Sequence, residues 1–252
     1  MKIRVLGCYG GVTRDHRVTG FLINDHILLD PGTVADPLTL EEQNLIDVAI
    51  ISHSHLDHCA GIAFLADNIF AQADRGVRII AMPKTAEAIQ KHLLNGTMWP
   101  DFTSIANEVS SIAAIETLSV NKAKSVEELV ITPFPAEHTV PTVGFVIADE
   151  GGALLYSADT SDITAAVDAS TGVENLRLAI VEASFPNRMR ELARKTGHLV
   201  PEMCSPLVKA LGNKVPIRLF HMKPRYVDEI RSDAASLDGD VALLSEGEVL
   251  QV

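Results

Sequence analysis

Val48-Ala49-Ile50-Ile51-Ser52-His53-Ser54-His55-Leu56-Asp57-His58 is the stretch that decides how this chain reads. Its first four residues form an apolar run of the kind that marks a buried strand. Directly behind them, three imidazoles and a carboxylate fall within residues 53–58. The cluster therefore sits where a strand empties into a loop, the usual place for site residues in an α/β protein. His53 and His55, two apart in extended backbone, point the same way and can clasp one ion. Asp57 and His58 lie past the bend and can reach a second ion beside it. A lone histidine is more often a satisfied core or surface residue, but that reading does not account for so dense a cluster at metal-ligand spacing.

This H-x-H-x-D-H pattern resembles that of the metallo-β-lactamase superfamily. The resemblance implies a fold: an α/β sandwich of four layers (αββα), two mixed β-sheets packed face to face with helices on the outer faces, here as a single domain over residues 1–252. It also implies a ligand set. A His, a bridging Asp and a last His should follow downstream, and the chain offers His138 in Pro135-Ala136-Glu137-His138-Thr139-Val140-Pro141, Asp159 in Leu154-Leu155-Tyr156-Ser157-Ala158-Asp159-Thr160 and His221 in Ile217-Arg218-Leu219-Phe220-His221-Met222-Lys223-Pro224. Each follows an apolar or strand-like run that can deliver it to one rim of the sheets. By the resemblance, His53, His55 and His138 hold a first ion and Asp57, His58 and His221 a second, with Asp159 bridging. Two divalent ions roughly 3.5–4 Å apart lower the pKa of a shared water and offset charge developing on substrate oxygens. Ligation by His and Asp without Cys favours Zn²⁺, with Mn²⁺ or Fe²⁺ as alternatives. Asp30, in Leu28-Leu29-Asp30-Pro31-Gly32-Thr33, resembles the family's strand-end Asp that supports a ligating His or the loop from behind. An Asp opening a Pro-Gly turn is a compatible local reading.

Length and composition agree with such a fold. A chain of 252 residues suits one large domain or two small ones, and 47% hydrophobic with 21% charged residues is enough to bury a sizeable core. A net charge of −12 argues against a polyanion partner, because phosphate-backbone binding rests on basic patches. Cys8, Cys59 and Cys204 are odd in number and unpatterned, which suggests reduced thiols rather than a disulfide framework. Cys59 follows a candidate ligand directly but reads as helix packing. The start, Met1-Lys2-Ile3-Arg4-Val5-Leu6-Gly7, alternates as a strand does and carries no apolar signal segment, and no run of about 18 apolar residues occurs. A soluble, cytoplasmic protein is expected.

A pass along the chain gives two similar halves. Strands are expected at 2–7, 19–23, 26–30, 48–52 and 77–82, then at 129–133, 143–148, 153–157, 177–182, 215–220, 241–244 and 248–251. Tight turns fall at Asn24-Asp25 and at Asp149-Glu150-Gly151-Gly152. Helices are expected near 58–67, 84–95, 161–170, 201–212 and 225–236. The stretch 96–128 holds the sole Trp, Trp99, and a polar, poorly periodic sequence that reads as a lid or an oligomer contact.

Two further segments bear on the substrate. His198, in Gly197-His198-Leu199-Val200-Pro201, falls between Asp159 and His221 and is not needed for metal. In phosphodiesterases of the superfamily, ribonuclease Z among them, a His at this place protonates the leaving oxygen and a Glu at the end of the preceding strand holds it. Glu182, in Val181-Glu182-Ala183-Ser184-Phe185, matches that Glu. An alkoxide leaving group needs such an acid more than a β-lactam nitrogen does. The local alternative is that His198 caps the helix opening at Pro201. The segments His53–Ile62, Glu182–Pro186, Gly197–Pro201 and His221–Pro224 together resemble the class II cyclic-nucleotide phosphodiesterases, although Val200 stands where a hydroxyl residue is expected. That resemblance implies hydrolysis of a 3′,5′-cyclic nucleotide (cAMP or cGMP) to the 5′-nucleotide, with Asp57, His198 and Glu182 in catalysis. Lys223 or Arg225 would contact phosphate, or else form a solvated basic pair. The rivals are a ribonuclease Z-like tRNA 3′-processing endonuclease, for which no basic arm is found, and a lactonase or thioesterase, in which His198 has no role. The expected partner is a small phosphodiester, neither a nucleic-acid polymer nor a membrane, with a homodimer left open.

Overall fold

The computed structural model describes residues 1–70, 76–105 and 112–252. The first sheet takes β1 (Lys2–Gly7), β2 (Gly20–Ile23), β3 (Ile27–Leu29), β4 (Val48–Ile51), β5 (Val77–Ala81) and β6 (Ala113–Thr117). The second takes β7 (Lys124–Val126), β8 (Leu129–Ala136), β9 (Thr142–Ala148), β10 (Ala153–Tyr156), β11 (Leu176–Glu182), β12 (Ile217–Phe220) and β13 (Val241–Leu243), while β14 (Val249–Gln251) returns to the edge of the first. The strand orders are β14-β1-β2-β3-β4-β5-β6 and β13-β12-β11-β10-β9-β8-β7. Both sheets follow one plan. Antiparallel hairpins, β1-β2-β3 and β7-β8-β9-β10, lead into parallel strands, β3-β4-β5-β6 and β10-β11-β12-β13. Asn24 and Asp25 turn the second hairpin with φ of 48° and 66°, the left-handed pair of a primed turn closed by His26 N donating to the Ile23 carbonyl at 3.2 Å.

Alternation along the strands decides which core each residue enters. Phe21, Ile23, Val48 and Ile50 face the core between the sheets, and Leu22, Ala49 and Ile51 the core under the helices of the first half. Because β4 is covered on both faces, it reads as an unbroken apolar run. Phe21, Tyr156 and Phe220 meet between the sheets, ring centroids 5.1–5.8 Å apart.

The helices are α1 (Leu40–Gln43), α2 (Leu56–Cys59), α3 (Gly61–Ile69), α4 (Pro83–Ala88), α5 (Thr164–Thr171), α6 (Arg190–Lys195), α7 (Ser205–Leu211) and α8 (Val227–Ala234). The helix expected at 58–67 is the pair α2 and α3, and that at 84–95 is α4 running into a π-helical turn, Ile89–Leu93. The one expected at 201–212 is a 3₁₀ turn, Pro201–Cys204, followed by α7. The stretch 96–128, where no strand is expected, supplies an edge strand to each sheet, β6 beside β5 and β7 beside β8. Trp99 rests edge-on against Phe64 of α3, centroids 5.2 Å apart. Residues 106–111 of that stretch lie outside the described residues. Among the described residues no helix is long and apolar enough to cross a membrane.

Candidate metal centre

The candidate residues converge just past the carboxyl ends of strands, where open α/β sheets bind ligands. Asp30 follows β3, His53 follows β4, His138 follows β8, Asp159 follows β10, Glu182 ends β11 and His221 follows β12. Asp57 and His58 ride on α2. Of four overlapping donor groups among the described residues, two contain the expected ligand sets and adjoin one shared carboxylate; the others are Asp30, His53 and His58, and Asp159, His198 and His221. His53, His55, His138 and Asp159 bring ligand atoms within 4.8 Å of one another, as do Asp57, His58 and His221. Asp159 spans both: its Oδ2 lies 3.8 Å from Nε2 of His53 and of His138 and 3.4 Å from Nε2 of His221, and its Oδ1 lies 3.3 Å from Nε2 of His58. His221 Nε2 is 3.1 Å from Asp57 Oδ2, and His138 Nε2 is 3.1 Å from His55 Nδ1.

Hydrogen bonds on the far side fix how the rings present themselves. His138 Nδ1 lies 2.8 Å from the Gly197 carbonyl, which can only accept, so Nδ1 carries the proton and Nε2 its lone pair. Gly197 comes so close, at φ 81°, that a Cβ there would sit 2.6 Å from His138 Nδ1. Asp30 is fully buried and accepts from Ser52 N at 2.7 Å, Ser52 Oγ at 2.6 Å, Tyr156 Oη at 2.7 Å and His58 Nδ1 at 2.9 Å. With its proton committed to Asp30, Ser52 Oγ accepts from His53 Nδ1 at 2.9 Å. Glu182, also fully buried, accepts at Oε1 from Thr160 N and His198 Nδ1, both at 3.0 Å, and at Oε2 from Ser184 Oγ at 3.0 Å. Ser184 Oγ lies 2.8 Å from His221 Nδ1. Four of the five candidate ligand imidazoles, His53, His58, His138 and His221, thus spend Nδ1 outward and turn Nε2 inward, the arrangement that outer partners impose on metal-ligating histidines.

The inward atoms provide the test of whether a metal fits. His53 Nε2, His58 Nε2 and Asp159 Oδ1 are buried without a hydrogen-bond partner, although His58 and Asp159 approach one another. Each such orphan costs about 1–3 kcal/mol, and converging lone pairs of His and Asp are what a divalent cation satisfies. The residues fit the group.

Protonation agrees for most of the donors. Burial, with the neighbouring imidazoles, holds His53 far below its ordinary pKa and lowers His55 and His138, so these rings are neutral as ligands must be. Burial opposes the charge on Asp159, but His221 and His58 outweigh it and keep the carboxylate ionised. Burial likewise opposes Asp57, and its bond to His221 overrides it. His58 differs: burial works against its charge, yet Asp159 and Asp30 raise it well above the usual range. Those same two carboxylates are the ones that a cation beside Nε2 and the Nδ1–H bond would otherwise engage. His198 is raised because Glu182, by charge and hydrogen bond, outweighs burial.

Asp30, Ala158 and His221 hold φ of 45°, 53° and 64° at three strand ends of the site. Such strain costs of order 1–3 kcal/mol per residue and persists only where the surroundings over-determine it. Lys223 Nζ donates to the Gly10 carbonyl at 2.7 Å, and Arg225 is exposed. Gly10 itself presses on His221, since a Cβ there would lie 2.8 Å from Nδ1. Cys59 is buried in the core under α3, its thiol 3.6 Å from the Ser54 carbonyl and pushed up to about 12 by burial. The turn at Pro201 has Val200 as its cap residue with no side-chain cap, so His198 serves Glu182 and not that turn. A cleft of about 690 Å³, walled by Met82, Pro83, Val120, Val140 and Pro141, opens beside His138. Sequence reading missed Ser52, Tyr156 and Thr160, and did not assign Ser184 a role. For the two serines the adjacent His53 and the Glu-x-Ser spacing were available signals, whereas nothing near Tyr156 points to Asp30.

A family model described as beta-lactamase superfamily domain matches residues 25–222. A probable 3′,5′-cyclic-nucleotide phosphodiesterase of Yersinia pestis is 23% identical over 281 residues, covering 89% of this chain and 79% of that protein. Endoribonuclease ysh1 of Aspergillus fumigatus is 26% identical over 127 residues, and 3′,5′-cyclic-nucleotide phosphodiesterase 1 of Saccharomyces cerevisiae is 28% identical over 91. The matches take in 46% and 36% of this chain and span only 14% and 24% of those two proteins. Among solved structures, unliganded yeast PDE1 aligns with a TM-score of 0.81 at 18% identity over 100% of this chain and 99% of that one, a likeness of fold.

Proposed function

The chain belongs to the beta-lactamase superfamily, and from that premise we propose that it is a binuclear metal-dependent phosphodiesterase that hydrolyses 3′,5′-cyclic nucleotides to 5′-nucleotides. The observation that carries the reading is the His198–Glu182 pair, 3.0 Å apart beside Asp159 and His221. A positioned acid next to the ligand cluster suits an ester whose leaving group is a poor, alkoxide-like oxygen. Phosphodiesterase relatives that cover most of the chain support the same choice.

His53, His55 and His138 would hold one ion and Asp57, His58 and His221 the other, with Asp159 shared; Zn²⁺ suits this donor set best. Bound divalent ions supply Lewis-acid activation of water and offset charge on the phosphoryl oxygens. The chain's own part is the leaving group. In hydrolysis the new bond joins phosphorus to the oxygen of water, the P–O3′ bond breaks, and the departing 3′ oxygen needs a proton. Glu182 holds His198 by Nδ1, which leaves Nε2 as the ring atom that hands that proton over. Thr160 N–H keeps the Glu182 oxygen in place. The net charge of −12 supports a mononucleotide over a polymer, since each phosphate gripped by a polyanion binder takes a Lys or Arg. Lys223 and Asp30 then act from behind, one tethering the Gly10 loop and the other the His53 and His58 side of the site. We take residues 1–252 as one domain, acting in the cytoplasm on a small diffusible substrate.

Purified protein assayed against cAMP, cGMP, bis-p-nitrophenyl phosphate and a pre-tRNA tests the proposal. Release of a 5′-monophosphate from a cyclic nucleotide is the expected result. Efficient 3′-end cleavage of pre-tRNA with cyclic nucleotides inert would replace it by the ribonuclease Z-like reading.

A further inference from the structure

Glu182 gives its two oxygens to two different tasks. Oε1 takes the Thr160 N–H and His198 Nδ1, and Oε2 takes the Ser184 hydroxyl, which lies 2.8 Å from His221 Nδ1. Glu182, Ser184 and His221 are all fully buried, so a partner lost here is not replaced by bulk solvent. We propose that Glu182 and Ser184 form a relay that sets the tautomer of His221 and so presents its Nε2 lone pair to the ion site. Ser184 is then a positioning residue for metal binding, and Glu182 serves the metal centre as well as His198. The inference rests on the reading of His221 as a metal ligand.

Donor counting gives the relay its direction. The Ser184 hydroxyl has one proton, and a carboxylate has none to return, so that proton goes to Glu182. Ser184 therefore accepts from His221 Nδ1–H. That leaves Nε2, 3.1 Å from Asp57 Oδ2 and 3.4 Å from Asp159 Oδ2, as the ring atom facing the ion site, where an ion would take the place of a proton between it and those carboxylates.

Glu182→Gln reverses this by a forced choice. The Thr160 N–H can only donate, so the amide oxygen must occupy the Oε1 place and the NH₂ must face Ser184. Ser184 then accepts from the amide, and its hydroxyl proton, having lost the carboxylate, is left with His221 Nδ1, 2.8 Å away, as the acceptor to which it donates. His221 becomes the Nε2–H tautomer, which has no lone pair to offer an ion. The bond from His198 Nδ1 to the amide oxygen survives. A near-isosteric change in the residue that holds the acid thus damages the metal site.

The test compares zinc-reconstituted wild type, Glu182→Gln, Ser184→Ala and His198→Ala by zinc content and by competition with a chromophoric chelator, with ring ¹⁵N shifts reporting the His221 tautomer. Wild type and His198→Ala should bind two ions alike. Glu182→Gln and Ser184→Ala should bind one of the two about 10–100-fold more weakly, the usual cost of losing an outer partner of a ligand. The His221 ring of Glu182→Gln should show the Nε2–H pattern. Two tight ions and an unchanged His221 tautomer in Glu182→Gln overturn the relay and leave the metal reading standing, whereas a wild type that binds no zinc overturns both. Should Glu182→Gln not fold, Ser184→Ala, which deletes a single hydroxyl, decides by the same titration.

Discussion

Asp30 and Glu182 are the two buried anchors of the site, one in each half of the molecule. Each sits at the carboxyl end of a strand, Asp30 just past β3 and Glu182 closing β11, and each reaches a histidine through a serine. Their remaining bonds differ. Asp30 Oδ2 gathers Ser52, His58 and Tyr156, so every side chain around it is a candidate ligand, a support for one, or a tie to the opposite sheet. Glu182 divides its oxygens between the Ser184–His221 relay and His198. The first carboxylate therefore has one duty, holding ligands, and the second has two. Mutations should separate them accordingly: damage at Asp30 ought to appear as lost stability and lost metal, and damage around Glu182 as a split between metal and leaving-group chemistry.

The largest effect is expected from Asp30→Ala. It strips four hydrogen bonds from one buried carboxylate and leaves Ser52, His58 Nδ1 and the Tyr156 hydroxyl without an acceptor. Breaking a buried charged network in this way costs about 3–5 kcal/mol. Urea denaturation should show that loss, and elemental analysis should find less than the wild type's metal. A variant that keeps both stability and metal would dissolve the idea that the first half is organised by Asp30.

Asp159 is where the two halves meet, so its removal should respect neither. Asp159→Ala takes the carboxylate that, among the described residues, approaches His53, His138, His58 and His221 together. Wild type is expected to carry two ions per chain by elemental analysis and the variant at most one, with hydrolysis lost. Full occupancy in Asp159→Ala would mean that the two donor groups are independent.

His198→Ala probes the duty that Asp30 lacks. It should lower kcat on a cyclic nucleotide by roughly 10²–10⁴, with metal content unchanged. On bis-p-nitrophenyl phosphate, whose leaving group departs without a proton, the loss should be far smaller. Equal losses on the two substrates would assign His198 to structure or phosphate binding.

What could be read in the sequence follows the same division. Val48–Ile51 is legible because a parallel strand covered on both faces becomes an apolar run, and His53, His55, Asp57 and His58 are legible because they crowd together behind it. Strands β6 and β7 are not: Ala113–Thr117 and Lys124–Val126 lie at sheet edges, half-exposed, so neither alternates nor runs apolar. The helix α6, Arg190-Glu191-Leu192-Ala193-Arg194-Lys195, hides because it buries only Ala193. Within the site, ligand types announce themselves by chemistry, but Thr160 acts through a backbone N–H and Ser52 through a hydroxyl whose direction only its neighbours set. The resemblance assigned Glu182 to His198; its bond to Ser184 is local and hinted at by the Glu-x-Ser spacing, but the link from Ser184 to His221 emerges only with the fold.

Tyr156→Phe is the finest test of the contrast, because it touches the Asp30 anchor from the far sheet and removes one oxygen. Tyr156 is fully buried on β10, and its ring packs against Phe21 and Phe220 at 5.7 and 5.1 Å. Those contacts survive in Phe. What is lost is the 2.7 Å bond from its hydroxyl to Asp30 Oδ2, which Ser52 and His58 also share. A hydrogen bond to a charged group is worth about 1.5–3 kcal/mol, and the lower end applies here because Asp30 keeps three other donors. Denaturation should therefore show a loss near 1.5 kcal/mol, with both ions retained and kcat on cyclic nucleotide within about threefold of wild type by the usual rate–energy conversion for a sub-kcal/mol change. Metal loss comparable to Asp30→Ala would show that Tyr156 sets the position of Asp30, and hence of His53 and His58, instead of merely sharing its charge.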